Sequence, residues 1–230
     1  MGDDVYGAYD ASYLQKNGPI QHTQSPAVTA SYGSLARFRD VKRLRKFSDS
    51  TVVGFGGDVS DMQYLDRLLN ALDIEEEYSN QGNSLNAQNL HTYLSKVFYR
   101  RRSKMDPLWN QVLVAGFDGA GKPFLASADL LGTTFSSPSL ATGFGAHLAQ
   151  PILRKVAPDE EAASKLTQEQ AVEVVKESMK VLFYRDARSL DSYSIAVVTK
   201  DNIDLKEDEK LENQSWAFAD RIRGYGTQVN

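Results

Sequence analysis

The chain has 230 residues, 41% of them hydrophobic and 24% charged, with a formal net charge of -4; that suits one packed domain, and nothing in the balance calls for nucleic acid or an anionic membrane. It has no cysteine, which excludes disulfides, thiol catalysis and cysteine-held metal. No apolar run approaches the roughly 20 residues of a membrane helix, and the polar, acidic start MGDDVYGAYDASYLQ is unlike a secretory leader, so a soluble intracellular protein is expected.

Residues 1–30 show neither helical nor strand periodicity, are rich in Gly, Ser, Gln, Asn and Tyr, and are interrupted by Pro19 and Pro26. They read as an extension without a core of its own. VKRLRKF (41–47) alternates apolar and basic residues as a half-buried strand does, and TVVGFGG (51–57) is a second, apolar strand. Asp58 or Ser60 can then cap a helix with Met62, Leu65, Leu68, Leu69 and Leu72 on one stripe. After an acidic, Asn-rich loop, Leu90, Leu94, Val97 and Phe98 mark a second helix. It ends in the cations Arg100, Arg101, Arg102 and Lys104 and is broken by Asp106-Pro107.

NQVLVAGF and PFLASADLLGT around DGAGK predict a hairpin. SSPSLATGFG reads as a short strand leading into a helix over 146–156, and the acidic residues 158–161 as a loop. Thr167, with Gln170 at capping-box spacing, opens a long helix with Val172, Val175, Met179, Leu182 and Phe183 inward. YSIAVVT is a strand, DNIDLKEDEK a charged turn, and the segment around Trp216, Phe218 and Ile222 is short and amphipathic. Strand blocks alternate with helix pairs, which fits sheets stacked between helix layers rather than a doubly wound sheet.

The motifs that might carry chemistry are weak. Gly116 to Lys122 has the spacing of a phosphate loop, but Pro123 stands where Ser or Thr must bind magnesium, and no helix follows. Gly143-Phe144-Gly145 is half a dinucleotide fingerprint and reads as a tight turn into a helix. His22, His91 and His147 have no metal-ligand spacing, so no metal and no cofactor is expected. The basic run Arg100 to Lys104 is a solvated helix end without interleaved aromatics. Ser31, Ser34, Ser189 and Ser192 lie in no G-x-S-x-G elbow.

Longer strings carry more. SYGSLARF, VKRL, TVVGFGGDVSDMQYLDRLL, FYRRRSKMDPLWN, LLGTTFSSPSLATGFGAHLAQPILRK, LFYRDARS and the final RGYGTQV resemble the eukaryotic proteasome β-type subunits, over nearly everything from Thr23 to Asn230. The resemblance implies an α+β, N-terminal-nucleophile hydrolase fold: a four-layer sandwich of two antiparallel sheets between helix layers. Active members use an N-terminal threonine whose amine is the base, aided by an aspartate and a lysine. This chain resembles a non-catalytic member, a structural part of the β ring.

Carried over by position, the family's lysine falls on Arg43, which is too basic to exchange a proton near neutral pH. Asp186 and Ser189 match the supporting aspartate and serine, while Phe144 stands where a second serine is expected. Between Val28-Thr29 and Ala30-Ser31 the family has a first hairpin with the nucleophile. About 20 residues, two strands' worth, are absent here by comparison, so the fold is expected to lack that hairpin.

The resemblance divides the chain into a propeptide-like extension (1–22), a β-type domain (23–222) and a C-terminal tail (223–230). Trimming is expected between His22 and Thr23. Inter-ring contacts are expected at Tyr225, Gly226, Thr227, Gln228 and Val229. The implied partners are the other α and β subunits of a 28-subunit core particle in cytoplasm and nucleus, with no nucleic acid and no membrane. The competing readings are a threonine peptidase active in its own right and a nucleotide-binding module resting on Gly116 to Lys122.

Overall fold

The computed structural model describes residues 10–13, 20–24, 30–32, 35–79 and 85–222. In chain order it runs β1 (Asp10–Tyr13), β2 (Ile20–Gln24), β3 (Ala30–Tyr32), β4 (Leu35–Phe38), β5 (Leu44–Phe47) and β6 (Thr51–Gly57). The helices α1 (Val59–Tyr78) and α2 (Ala87–Ser103) follow, then β7 (Asn110–Phe117), β8 (Pro123–Asp129), β9 (Thr134–Ser136) and β10 (Ser139–Thr142). Next come α3 (Gly145–Leu148), α4 (Gln150–Val156), α5 (Glu160–Ser164) and α6 (Gln168–Arg185), then β11 (Ser192–Val198), β12 (Ile203–Lys210) and a 3-10 turn at Ala217–Arg221.

Two antiparallel sheets of five strands organise the chain, in the orders β5-β6-β7-β8-β9 and β10-β1-β2-β11-β12; β3 and β4 form a separate hairpin. In β6 and β7 nearly every residue is buried, because helices cover one face and the second sheet the other. Helices α1 and α2 lie on the first sheet. Met62, Leu65 and Leu69 from α1 and Leu90, Leu94 and Phe98 from α2 meet Phe47, Val53, Phe55, Val112 and Val114 there. Helices α3, α4 and α6 lie on the second sheet, where Leu153, Val175, Met179 and Leu182 meet Tyr193 and Ile195. Between the sheets, Leu44, Val52, Ala115, Phe117 and Leu125 face Ala196, Val198 and Ile203. Each fully buried large side chain contributes about 1.5–3 kcal/mol, so these three clusters hold the layers together.

The helix starts follow their caps. Asp58 accepts from Asp61 N at 2.9 Å, and Asn86 and Thr167 each close a reciprocal capping box, with Asn89 and Gln170. Helix α2 stops after its arginines, where Met105 takes a positive φ of 56°.

Several elements differ from the sequence reading. Residues 10–13 and 20–24, read as part of an extension, are strands, and they complete the second sheet. That sheet therefore does not carry the two-strand gap expected from a lost hairpin. A polar stretch of four or five residues has no periodicity to announce it; pairing with distant strands makes it a strand. The stretch read as a charged turn is β12, an edge strand whose polar residues face solvent. The helix expected over 146–156 is divided into α3 and α4, with Pro151 in the first turn of α4. The acidic loop at 158–161 contains the start of α5, which Asp159 caps through Ala162 N at 2.8 Å.

Candidate functional site

Arg43 immediately precedes β5 and is only 4% exposed. Its backbone carbonyl accepts from Phe55 N at 2.9 Å, continuing the β5–β6 ladder by one pair. Its guanidinium Nη1 donates to Gly57 O at 2.8 Å and, more weakly, to Phe55 O at 3.5 Å. Gly57 has φ +98°, and a Cβ there would lie 2.2 Å from Trp109 O. Asp58 N donates to that same carbonyl at 2.8 Å, and Trp109 N donates to the Asp61 carboxylate at 2.8 Å. Asn110, at the start of β7, donates from Nδ2 to Gly56 O and Asp58 O. Arg43 thus sits in a set of strand-end hydrogen bonds. A guanidinium spent on carbonyl oxygens can donate but has no lone pair to take a proton.

Asp186 follows the last turn of α6 and is 6% exposed. Its Oδ1 accepts from Arg188 N at 2.9 Å, and its backbone carbonyl accepts from Ser189 N at 3.1 Å and from Ser189 Oγ at 2.8 Å. The Ser189 hydroxyl also lies within reach of Leu182 O and Phe183 O. Asp186 and Ser189 are therefore brought together, in a turn that satisfies the carbonyl end of α6. Phe144 stands at the start of α3, and its ring is half exposed. His22 and Thr23 are consecutive residues of β2. Tyr225, Gly226, Thr227, Gln228 and Val229 lie outside the described residues.

Gly116 to Lys122 forms the end of β7 and the β7–β8 turn. The Asp118 carboxylate accepts from Ala120 N at 2.9 Å and Lys122 N at 2.8 Å. In a phosphate loop such amides face the anion; here the protein's own carboxylate takes them. His91 is half-buried, its ring edge-on to Phe124, and its Nε2 lies 2.9 Å from Ser127 O, which makes Nε2 the protonated nitrogen. Burial pushes its pKa below the usual histidine value, against the opposing pull of that carbonyl. Among the described residues no group of three His, Asp or Glu side chains is placed to hold a metal, and no helix is long and apolar enough to cross a membrane.

The sequence reading singled out Arg43 but not its partners. The paired glycines at 56–57 and the Asn at the start of the next long apolar strand were the available signal. The register that joins them is set by non-local pairing.

Comparison with known proteins gives these positions a context. The proteasome subunit family matches residues 27–198. The chain is 48% identical to the probable proteasome subunit beta type-7 of Schizosaccharomyces pombe, over 93% of this chain and 88% of that one. It is 43% identical to the proteasome subunit beta type-7 of Saccharomyces cerevisiae, over 98% and 95%. It is 39% identical to the proteasome subunit beta type-4 of Xenopus laevis, over 90% and 92%. The first two alignments span 234 and 252 positions, more than the 230 residues of this chain, so those relatives hold residues that it lacks. With most of its length matched and these relatives covered nearly end to end, the chain belongs to the proteasome subunit family and has its α+β fold of sheets and helices.

Proposed function

We propose that the chain is a structural, non-catalytic β subunit of the 20S proteasome core particle, of the type named beta type-7 in yeasts and beta type-4 in vertebrates. Its role is to complete the β ring of a threonine-type protease that carries out ATP- and ubiquitin-dependent protein degradation in cytoplasm and nucleus. Its partners are the other α and β subunits of a 28-subunit particle. The long stretches of similarity to beta type-7 and type-4 subunits support this assignment.

The observation that carries the non-catalytic reading is Arg43. It stands where the resemblance places the catalytic lysine, and its guanidinium is held on Gly57 O. A threonine amine working as base needs a neighbour that can exchange or relay a proton near neutral pH, and arginine does not. The layered fold supports reading the domain as the family's four-layer sandwich. The residues that the relatives hold in excess fit a first hairpin falling between Thr29 and Ala30. The tail from Tyr225 to Val229 is proposed to reach across to the opposite ring, and removing residues 224–230 then slows the joining of half-particles.

The test is a covalent probe directed at N-terminal threonines, applied to particles containing this chain. The reading expects label on neighbouring subunits and none on this one. Label on this chain overturns it in favour of a threonine peptidase active in its own right.

A further inference from the structure

The second sheet contains two strands from a part of the chain that the family match leaves out. That match begins at residue 27, whereas β1 and β2 lie at Asp10–Tyr13 and Ile20–Gln24. The two strands pair with each other in continuous antiparallel register, from Asp10 opposite Gln24 to Tyr13 opposite Gln21. On its outer edge β1 pairs with β10, from Asp10 opposite Thr142 to Tyr13 opposite Ser139. On its other edge β2 pairs with β11, from Gln24 opposite Ser194 to Ile20 opposite Val198. The hairpin is therefore interior to the sheet. Its faces are covered as well, by α6 on one side and by β6 and β7 on the other.

Among the described residues no other strand joins β10 to β11. Neighbouring strands lie about 4.8 Å apart, so without the hairpin β10 and β11 stand roughly three spacings apart. Backbone donors and acceptors of β10 and one edge of β11 then lose their partners. An interior place in a sheet has to be filled, and this chain fills it from its own N-terminal segment.

We propose that residues 10–13 and 20–24 are a built-in replacement strand pair: the N-terminal segment donates two strands to the sheet, in the manner of strand addition to an open edge, and they stay there as a permanent part of the folded subunit. The peptide bond between His22 and Thr23 then lies inside a strand paired on both edges. Proteases bind their substrates as extended, unpaired chain, so this bond is closed to trimming once the sheet has formed. The proposal stands on strand register alone and not on membership of a β ring, so a chain that never entered a particle would still show it.

Two measurements on the full-length chain test it. The first is amide hydrogen exchange: residues 20–24 exchange at least about 100-fold more slowly than an unstructured peptide, as interior strands do. The second uses the absence of native cysteine. Successive antiparallel pairs alternate between close and wide spacing, so of Thr23→Cys with Ile195→Cys and Gln24→Cys with Ser194→Cys, one has the closer geometry. At least one of these double variants forms a disulfide on oxidation, seen by intact mass. The mismatched pair Gln21→Cys with Ile195→Cys forms none. Exchange over residues 20–24 at the rate of an unfolded peptide overturns the proposal. Protection without a crosslink at either matched pair overturns the register on which it stands.

Discussion

Arg43 and Asn110 hold the end of β6 from its two edges. Arg43 takes the carbonyls of Phe55 and Gly57, and Asn110 takes those of Gly56 and Asp58. Carbonyls alternate between the two edges of a strand, so each side chain continues the ladder on its own side where the neighbouring strand's backbone stops. The position that we propose to match the catalytic lysine of active family members here serves the geometry of a strand end.

Replacing Arg43 by methionine keeps the apolar stem and removes the donor. The partly buried Gly57 carbonyl loses this charged donor, and stability falls by about 1–3 kcal/mol. Arg43→Lys recovers only part of this, because an ammonium has no planar fork, and it confers no peptidase activity. Urea unfolding of the two variants beside the parent, with a fluorogenic peptide assay, checks both expectations. An unchanged midpoint for Arg43→Met removes the structural role.

Gly57→Ala is expected to be among the most damaging single substitutions. Its φ of +98° is one that side chains rarely adopt, and the new Cβ would meet Trp109 O at 2.2 Å. The cost is about 3 kcal/mol or more, from strain and forced displacement of backbone. Gly119→Ala is the control: its Cβ meets only the Asn86 side-chain amide, at 3.3 Å, and stability stays within about 0.5 kcal/mol. Comparable melting temperatures for the two variants contradict this account.

The capping boxes of α2 and α6 act independently, since one helix lies on each sheet. Asn86→Ala and Thr167→Ala each cost about 1 kcal/mol, and the double variant costs their sum. Chemical denaturation measures all three; clear non-additivity points to coupling between the two helix layers.

His91 gives the chain a pH-dependent contribution of defined sign. Burial lowers its folded-state pKa below the unfolded value, so the unfolded chain binds the proton more readily. Its favourable contribution is fully present above the ordinary histidine range. It is lost as pH falls from that range through the lowered folded-state value. His91→Gln, which keeps an N–H donor for Ser127 O but does not titrate, flattens the stability profile between about pH 7.5 and 5. Profiles of the same slope for parent and variant contradict the assignment.

Much of this architecture was legible in the sequence. The stripe from Met62 to Leu72, the Thr167–Gln170 box and the apolar runs at 51–57 and 110–117 announce their elements through local chemistry. What stayed hidden depends on distant partners. The strands at 10–13 and 20–24 are short and polar, and their identity lies in the residues opposite them, Ser139–Thr142 and Ser194–Val198. Residues 203–210 carry six polar residues out of eight and became a strand only as the partner of β11. At the site, Arg43 was identified by resemblance alone. The pairing of β6 with β7 then showed why Gly57 and Asn110 belong with it.

The central claim is that this chain supplies contact surface to a particle whose bond cleavage occurs on other subunits. Native size fractionation of the tagged, full-length chain from cells tests it most directly. The account predicts co-migration with the other α and β subunits at the size of the assembled core. A chain found only as free monomer, or cutting peptides in that form, would contradict it.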